Sequence, residues 1–300
     1  MKKKTYLFAL MAMALTLGSC SDNENGIGGE TSKYITVSTS IGNMTRVATD
    51  AKGGQTFEEG DEISVYAWTG APTVAPETRE RVVNNAINKL TNGSWVSTPQ
   101  MLWKNNRDKH YFIGVYPTAA ISDLSAGEYT FDVNKQIESD LLVAVNKDGL
   151  SYNVDEQQTV PLTFTHVMAK LVVNLTYKNQ WGGIPTVEKV VVGNAAKEAT
   201  VNYLTKVVTP STTAKEDFSL PEITENTKYV SVIIPQEEVT QLTIVIGGKN
   251  FVYDNGTPFK LESGKITTVN LEVGRDEIKL GDVKITDWED GSTFGGEALN

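Results

Sequence analysis

The chain has 300 residues, with 27 Lys and Arg against 37 Asp and Glu and a formal net charge of −10. This balance argues against a nucleic-acid-binding protein, because affinity for a phosphate backbone depends on clustered Lys and Arg. The single cysteine, Cys20, excludes an intramolecular disulfide and a cysteine-based metal site.

The first residues have the pattern of an export signal. Lys2, Lys3 and Lys4 form a positively charged start, and an almost unbroken apolar run follows over residues 6–17. This run is too short to span a bilayer as a mature helix. We therefore predict a signal peptide over residues 1–19.

The predicted signal ends at Leu17-Gly18-Ser19-Cys20, which resembles the lipobox of bacterial lipoproteins. The resemblance implies cleavage before Cys20 and attachment of a lipid to its thiol, with palmitate among the attached acyl chains. Outer-membrane lipid is then a partner of the precursor. An ordinary secretory signal is the alternative. Residues 20–32 are acidic and then Gly-rich, which predicts a flexible tether, and their start also resembles the surface-export signal of Bacteroides-type lipoproteins. The mature protein would be anchored to a membrane without spanning it.

Short runs rich in Val, Ile, Thr and aromatic residues, separated by Gly, Asn and Asp, predict an all-β fold for the rest of the chain. The first predicted strand, residues 34–41, alternates and places Ile35, Val37 and Ile41 on one face. Further strands are predicted at residues 62–68, 111–116, 141–145, 266–273 and 278–288.

Two predicted strands change the phase of their alternation. Between residues 160 and 177 the apolar positions shift by one at His166, and the last strand shifts in the same way across Gly281 and Asp282. Because a shift of one residue moves the apolar set to the other face of a strand, each site predicts a bulge or a bend.

Glycine-containing turns mark two predicted hairpin returns, and one segment departs from the strand pattern. Residues 241–254 predict a hairpin around Gly247 and Gly248. Residues 76–90 carry apolar side chains at helical spacing after a proline, which favours a short helix or loop. Residues 94–96 then predict a returning strand after an Asn-Gly turn.

The polar, Gly- and Pro-containing residues 178–185 are the best candidate linker. Roughly 280 mature residues suit two domains better than one. We predict an N-terminal β-sandwich domain over residues 33–178 and a C-terminal one over residues 185–300.

No pattern indicates catalytic or metal chemistry, and we predict neither an enzyme nor a cofactor. The two histidines, His110 and His166, lie on separate predicted strands, and His166 has the apolar surroundings of a structural histidine. Acidic clusters at residues 58–62 and 282–290 could supply a glycosidase pair, but acidic turns are usually solvated. The five tryptophans leave open a glycan-binding surface, against the alternative that they pack in the core.

Five stretches occur in order along the chain at residues 44–47, 57–65, 116–117, 162–171 and 284–288. Together with the lipobox, they resemble the fimbrillin-like family, the pilus subunits of Bacteroides-type bacteria. The resemblance implies two tandem transthyretin-like β-sandwich domains, a place in a cell-surface fimbrium and a part in adhesion. Other fimbrial subunits are then the expected partners, without nucleic acid.

The resemblance also implies that an Arg-specific protease removes the lipid and the first strand, so that a neighbour's strand can enter the vacated groove. Here the cut would fall between Arg46 and Val47, and the displaced strand would carry Ile35, Val37 and Ile41. Of the five arginines, Arg46 alone follows the first predicted strand, in a polar stretch. These features favour a stalk or tip subunit whose donor strand is residues 278–288 or 289–300. An anchor subunit that keeps its lipid, and a lipid-anchored glycan-binding protein, are the alternatives.

Overall fold

The computed structural model describes residues 33–42, 56–153, 158–239, 241–253 and 258–288. Strands dominate these residues, whose helix is limited to two short 3-10 turns, Thr78–Glu80 and Asn179–Trp181. The predicted all-β class is confirmed.

Nine strands precede the predicted linker: β1 (Thr36–Ile41), β2 (Glu62–Thr69), β3 (Arg81–Thr91), β4 (Ser94–Thr98), β5 (His110–Tyr116), β6 (Gly127–Thr130), β7 (Leu142–Leu150), β8 (Thr159–His166) and β9 (Ala169–Tyr177). Twelve follow it: β10 (Val187–Ala196), β11 (Glu198–Asn202), β12 (Val207–Pro210), β13 (Lys215–Ser219), β14 (Glu222–Thr224), β15 (Lys228–Ile233), β16 (Gln236–Val239), β17 (Leu242–Ile246), β18 (Lys249–Tyr253), β19 (Phe259–Leu261), β20 (Lys265–Val273) and β21 (Ile278–Asp287).

A seven-stranded sheet in the order β1-β8-β7-β5-β2-β3-β4 packs against a core on each of its faces. In β2, Val65 and Ala67 point into a smaller core, while Tyr66 and Trp68 point into a larger one. The sheet curls, so that its two outer strands, β1 and β4, contact each other. The smaller core therefore lies inside the curl, where β1 helps to enclose it.

The larger core joins the other face of this sheet to the sheets of the C-terminal half. These are a five-stranded sheet, β14-β15-β9-β20-β21, and a four-stranded sheet, β13-β10-β17-β18. Two small sheets, β12-β11-β6 and β16-β19, complete the arrangement. All the described residues belong to one compact unit.

The chain passes from the first sheet to the second between β8 and β9. The phase change predicted at His166 falls here, because Val167 and Met168 link strands that lie in different sheets. Strand β9 pairs with β15 and, in parallel, with β20. The change of sheet thus precedes the linker at residues 178–185, and the two-domain limits stay a prediction.

The short helix or loop predicted for residues 76–90 is wrong beyond the 3-10 turn, because residues 81–91 form strand β3. Asn85 has a φ of +56° and lies at a bulge where the pairing with β2 shifts between Val65 and Ala67. Because of the bulge, the successive buried residues Val83 and Ala86 are three positions apart, which is the spacing expected of a helix.

The other turn predictions are confirmed. Strands β3 and β4 form a hairpin at Asn92 and Gly93, and strands β17 and β18 form one at Gly247 and Gly248. All four turn residues have positive φ. The pairing of β20 with β21 also shifts between Val269 and Leu271, as the phase change in the last strand predicts.

Candidate functional site

Strand β1 occupies the edge of the seven-stranded sheet. It pairs in parallel with β8 along its whole length, from Thr36 opposite Thr159 to Ile41 opposite Phe164. The Gly42 N–H donates to the Phe164 carbonyl at 2.8 Å and ends the ladder. The backbone of β8 therefore depends on β1 for its hydrogen bonds on this side.

The other side of β1 is held at fewer points. The Ile35 N–H donates to the Met101 carbonyl at 2.9 Å, and the Trp103 N–H donates to the Lys33 carbonyl at 3.2 Å. The indole Nε1 of Trp95, on β4, donates to the Thr39 hydroxyl at 3.0 Å. Strand β1 thus closes the gap between β8 and β4.

Ile35, directly before β1, and the side chains of β1 fill one wall of the smaller core. Ile35 is 2% exposed and Val37 is 6% exposed, and Ile41 packs at the margin of this core. The predicted apolar face of the first strand is thereby confirmed. Burial of Ile35 and Val37 contributes about 1.5–3 kcal/mol each, so the strand is held firmly in place.

An aromatic group supports the end of β1. Phe57 makes edge-to-face contacts with Trp95, Tyr116 and Phe164, at centroid distances of 5.3, 5.4 and 5.1 Å. Because Phe164 lies opposite Ile41 in the ladder, this group joins the end of β1 to the chain that resumes at residue 56. Arg46 and Val47, the predicted cleavage site, and Cys20, the predicted lipid site, lie outside the described residues.

His166 belongs to a buried group that sequence reasoning did not assemble. Its Nδ1 donates to Asp140 Oδ2 at 2.7 Å, and its ring stacks on that of Trp288 at 3.9 Å and 6°. The Lys170 ammonium lies 5.6 Å from the centre of the Trp288 ring. The group ties the last described residue to the turn between β8 and β9.

The Lys170 ammonium should make the free energy of unfolding depend on pH above neutrality. Burial and then the charge of Lys228 lower the pKa of Lys170 to about 8 from its ordinary 10.5, while Asp140 opposes the shift. The unfolded state therefore binds more protons between these values, and the free energy of unfolding rises with pH there. After allowance for solvent screening, the rise is on the order of 2 kcal/mol.

Urea unfolding of the wild type and of Lys170→Met, at about pH 7.5 and about pH 9.5, isolates this contribution. The wild type should gain stability relative to the variant over that interval. A constant difference between the two proteins would contradict the assignment.

Several other candidate residues in the described part of the chain have structural partners, while residues 289 and 290 of the second acidic cluster lie outside it. His110 is buried: its Nε2 accepts from the Lys104 N–H at 3.0 Å, so its Nδ1 carries the proton and donates to the Asp108 carbonyl at 3.1 Å. Burial lowers the pKa of His110. Glu59 accepts from the Asn92 N–H, and Glu62 pairs with Lys89 at 3.1 Å.

All five tryptophans lie in the described part of the chain, and none is exposed there. Trp68, Trp103 and Trp288 are at most 9% exposed, while Trp95 and Trp181 are half-buried. These rings pack against the cores, so they offer little flat surface for stacking a sugar. The described residues also contain no cluster of three potential metal ligands.

A family model described as fimbrillin-like matches residues 45–288, most of the chain. The chain belongs to the fimbrillin-like family. The predicted resemblance is confirmed by this match. No curated protein matches the chain.

Solved structures share the fold of this fimbrillin-like chain. A proposed cell adhesion protein of Bacteroides uniformis has a TM-score of 0.64 at 18% identity, over 86% of this chain and 100% of its own. A proposed cell adhesion protein of Bacteroides ovatus gives 0.63 at 17%, over 86% and 98%. A tip fimbrial protein of Porphyromonas gingivalis, solved with a C-terminal truncation, gives 0.50 at 11%, over 77% and 95%.

The fimbrillin-like chain has, within its described residues, no helix long and apolar enough to cross a membrane.

Proposed function

We propose that this protein is a structural subunit, stalk or tip, of a cell-surface fimbrium and assembles by strand exchange set off by proteolysis. Membership of the fimbrillin-like family supports the fimbrial subunit and its place at the cell surface. The observation that carries the mechanism is β1, an edge strand that, with Ile35 directly before it, completes a core through Ile35 and Val37. Its role is assembly and adhesion, not catalysis.

The precursor travels as an outer-membrane lipoprotein, with signal peptide 1–19 removed and lipid on Cys20. Residues 20–32 tether the folded body to the membrane. An Arg-specific protease then cuts between Arg46 and Val47. The released piece carries both the lipid and β1, so one cut frees the subunit from the membrane and opens the groove.

Loss of β1 leaves β8 as an edge with unpaired backbone groups, beside an apolar slot that Ile35 and Val37 had filled. Such an edge is adhesive, and β-strand addition from another subunit satisfies it. Residues 278–288, largely strand β21, and the tail at residues 289–300 are the two candidate donors. Strand β21 already lies at the edge of its own sheet, next to β20.

The uncut protein should be monomeric, because its own strand fills the groove, and cutting after Arg46 should start assembly. Arg46→Ala should fold normally and remain monomeric under the same Arg-specific protease. Size-exclusion chromatography of both proteins, with and without protease, measures the difference.

Arg79→Ala is a matched control, since the Arg79 side chain is 80% exposed on a 3-10 turn far along the chain from β1. This variant should assemble like the wild type. Polymerisation of Arg46→Ala at the wild-type rate would reject the cleavage site.

A further inference from the structure

The groove that β1 occupies makes one polar contact on its otherwise apolar wall. Ile35, directly before β1, and Val37 are buried in the smaller core, and Ile41 packs at its margin. Because side chains alternate along a strand, Thr39 lies on the same face, between Val37 and Ile41. Its hydroxyl accepts a hydrogen bond from the indole Nε1 of Trp95 at 3.0 Å. The inward face therefore presents two apolar residues, then a hydrogen-bond acceptor, then a further apolar residue.

Trp95 belongs to the part of the groove that remains when β1 leaves. It lies on β4, and β1 and β4, both described in full, are not joined by a backbone ladder. Its ring packs against the smaller core and contacts Phe57 edge-to-face, at a centroid distance of 5.3 Å. Phe57 follows the predicted cleavage site along the chain, so this support stays with the body of the protein. The vacated groove thus keeps an indole N–H donor in place.

This indole N–H restricts which strand can fill the groove. An indole has one hydrogen-bond donor and no acceptor, and the Trp95 ring is half-buried. An incoming strand with an apolar side chain opposite Nε1 would cover the donor without bonding to it, which costs the desolvation of that group. A strand with a hydroxyl, amide or carboxylate oxygen at this position satisfies the donor.

The outward face of β1 offers less selection. The Thr36 and Thr159 hydroxyls pair at 3.2 Å, and the Ser40 hydroxyl donates to that of Thr163 at 3.2 Å, both at exposed positions. Exposed hydroxyls can bond to water instead, so the loss of these pairs changes the binding of a strand little. Selection therefore falls on the inward face.

Of the two candidate donors, β21 has the inward pattern of β1. It contains two apolar residues followed by an acidic acceptor, at alternating positions, twice: Ile278, Leu280 and Asp282, then Val283, Ile285 and Asp287. In the tail at residues 289–300, the large apolar residues Phe294 and Leu299 are five positions apart, so an extended chain would direct them to opposite faces. Because β21 is an edge strand, its transfer to the groove exchanges one backbone ladder for another.

We propose that Trp95 determines the specificity of the groove, by requiring a hydrogen-bond acceptor after two alternating apolar residues, and that β21 of a second copy is the strand it accepts. The proposal rests on the strand exchange proposed above. It adds the residue that selects the incoming strand and the segment that is selected.

The contact is tested first in the intact chain, without cleavage. Thr39→Val removes the acceptor at nearly constant shape, and hydrogen exchange of the β1 amides should become about threefold to tenfold faster, the effect of one hydrogen bond between neutral groups. Thr39→Ser keeps an acceptor and should exchange like the wild type. The matched control is Ser38→Ala, which removes an exposed hydroxyl from the outward face and should change nothing.

In a Trp95→Phe background, Thr39→Val should have no further effect, because the donor is already absent. Equal exchange rates for Thr39→Val and Ser38→Ala, or additive effects of Thr39→Val and Trp95→Phe, would overturn the proposal.

The identity of the incoming strand is tested with isotope-labelled protein cut after Arg46. Peptides of residues 33–42 and 278–288 are added in turn, and NMR follows the indole N–H signal of Trp95. Both peptides should bind and shift this signal. Replacement of Asp282 and Asp287 by valine should weaken the second peptide about tenfold or more, since the acceptor is charged, and replacement by asparagine should weaken it less.

The two peptides separate failure of this proposal from failure of strand exchange. If the peptide of residues 33–42 does not rebind, strand exchange itself is contradicted, and the proposal with it. If that peptide rebinds but the peptide of residues 278–288 does not, or if the valine variant binds as tightly as the native peptide, the proposal alone is overturned. These peptide variants leave the protein unchanged, so the comparison does not depend on the folding of Trp95→Phe.

Discussion

A chain that begins at Val47 should be much less stable than one that retains β1, and a peptide of residues 33–42 should restore it. The buried side chains of Ile35 and Val37 together account for about 3–6 kcal/mol of apolar burial. The truncated chain also loses the ladder between β1 and β8. The peptide supplies both, because the strand is held only by non-covalent contacts once the chain is cut. Urea unfolding with and without excess peptide measures the effect.

A peptide with Ile35→Asp and Val37→Asp is the matched control. It keeps the backbone groups that pair with β8 but cannot enter the apolar slot, so it should not restore stability. The native peptide should also suppress any assembly of the truncated chain in size-exclusion chromatography, because it occupies the groove that a neighbour's strand would need. Equal stability of the truncated and longer chains would show that β1 is dispensable for folding. That result would contradict the strand-exchange mechanism.

The first strand illustrates what alternation in a sequence can predict. The two-residue period placed Ile35 and Val37 on one buried face, as the structure has them. The same period says nothing about the partner of a strand. The parallel pairing of β1 with β8, far along the chain, depends on how the whole sheet curls, which no local pattern encodes.

Strand β3 shows how a local feature can mislead the same reasoning. An isolated alternating strand would have been recognised, but the bulge at Asn85 resets the alternation partway. The apolar residues then fall at intervals of three and four, the spacing of a helix. An asparagine pair in the middle of the segment was the available signal, since Asn adopts positive φ more readily than most residues.

Sequence reasoning predicted only part of the candidate site. The apolar strand around His166 predicted a structural histidine, and the side chain is buried and bonded to Asp140, while its role stays a prediction. The stacking of His166 on Trp288 and its bond to Asp140 join three distant segments of the chain. Contacts of this kind come from tertiary packing, and they leave no periodic trace in the sequence.

Trp288→Ala should release the end of β21 and lower the free energy of unfolding by about 3–5 kcal/mol. Most of β21 is exposed, whereas Trp288, directly after it, is 9% exposed. Its backbone N–H donates to the Gly264 carbonyl at 3.0 Å, and its ring covers His166. The variant leaves a cavity beside buried charged groups and removes the ring contact at the end of β21, while the ladder with β20 remains.

Ile285→Ala is the control on the same strand, because Ile285 is 39% exposed and its loss should cost well under about 1 kcal/mol. Trp288→Phe should fall between the two, since a phenyl ring can still stack on His166. Hydrogen exchange should show faster exchange of the β21 amides in Trp288→Ala, while the amides of the buried strand β5 remain among the most protected. Similar stabilities and exchange rates for Trp288→Ala and Ile285→Ala would show that the ladder, and not the indole, holds the last strand in place.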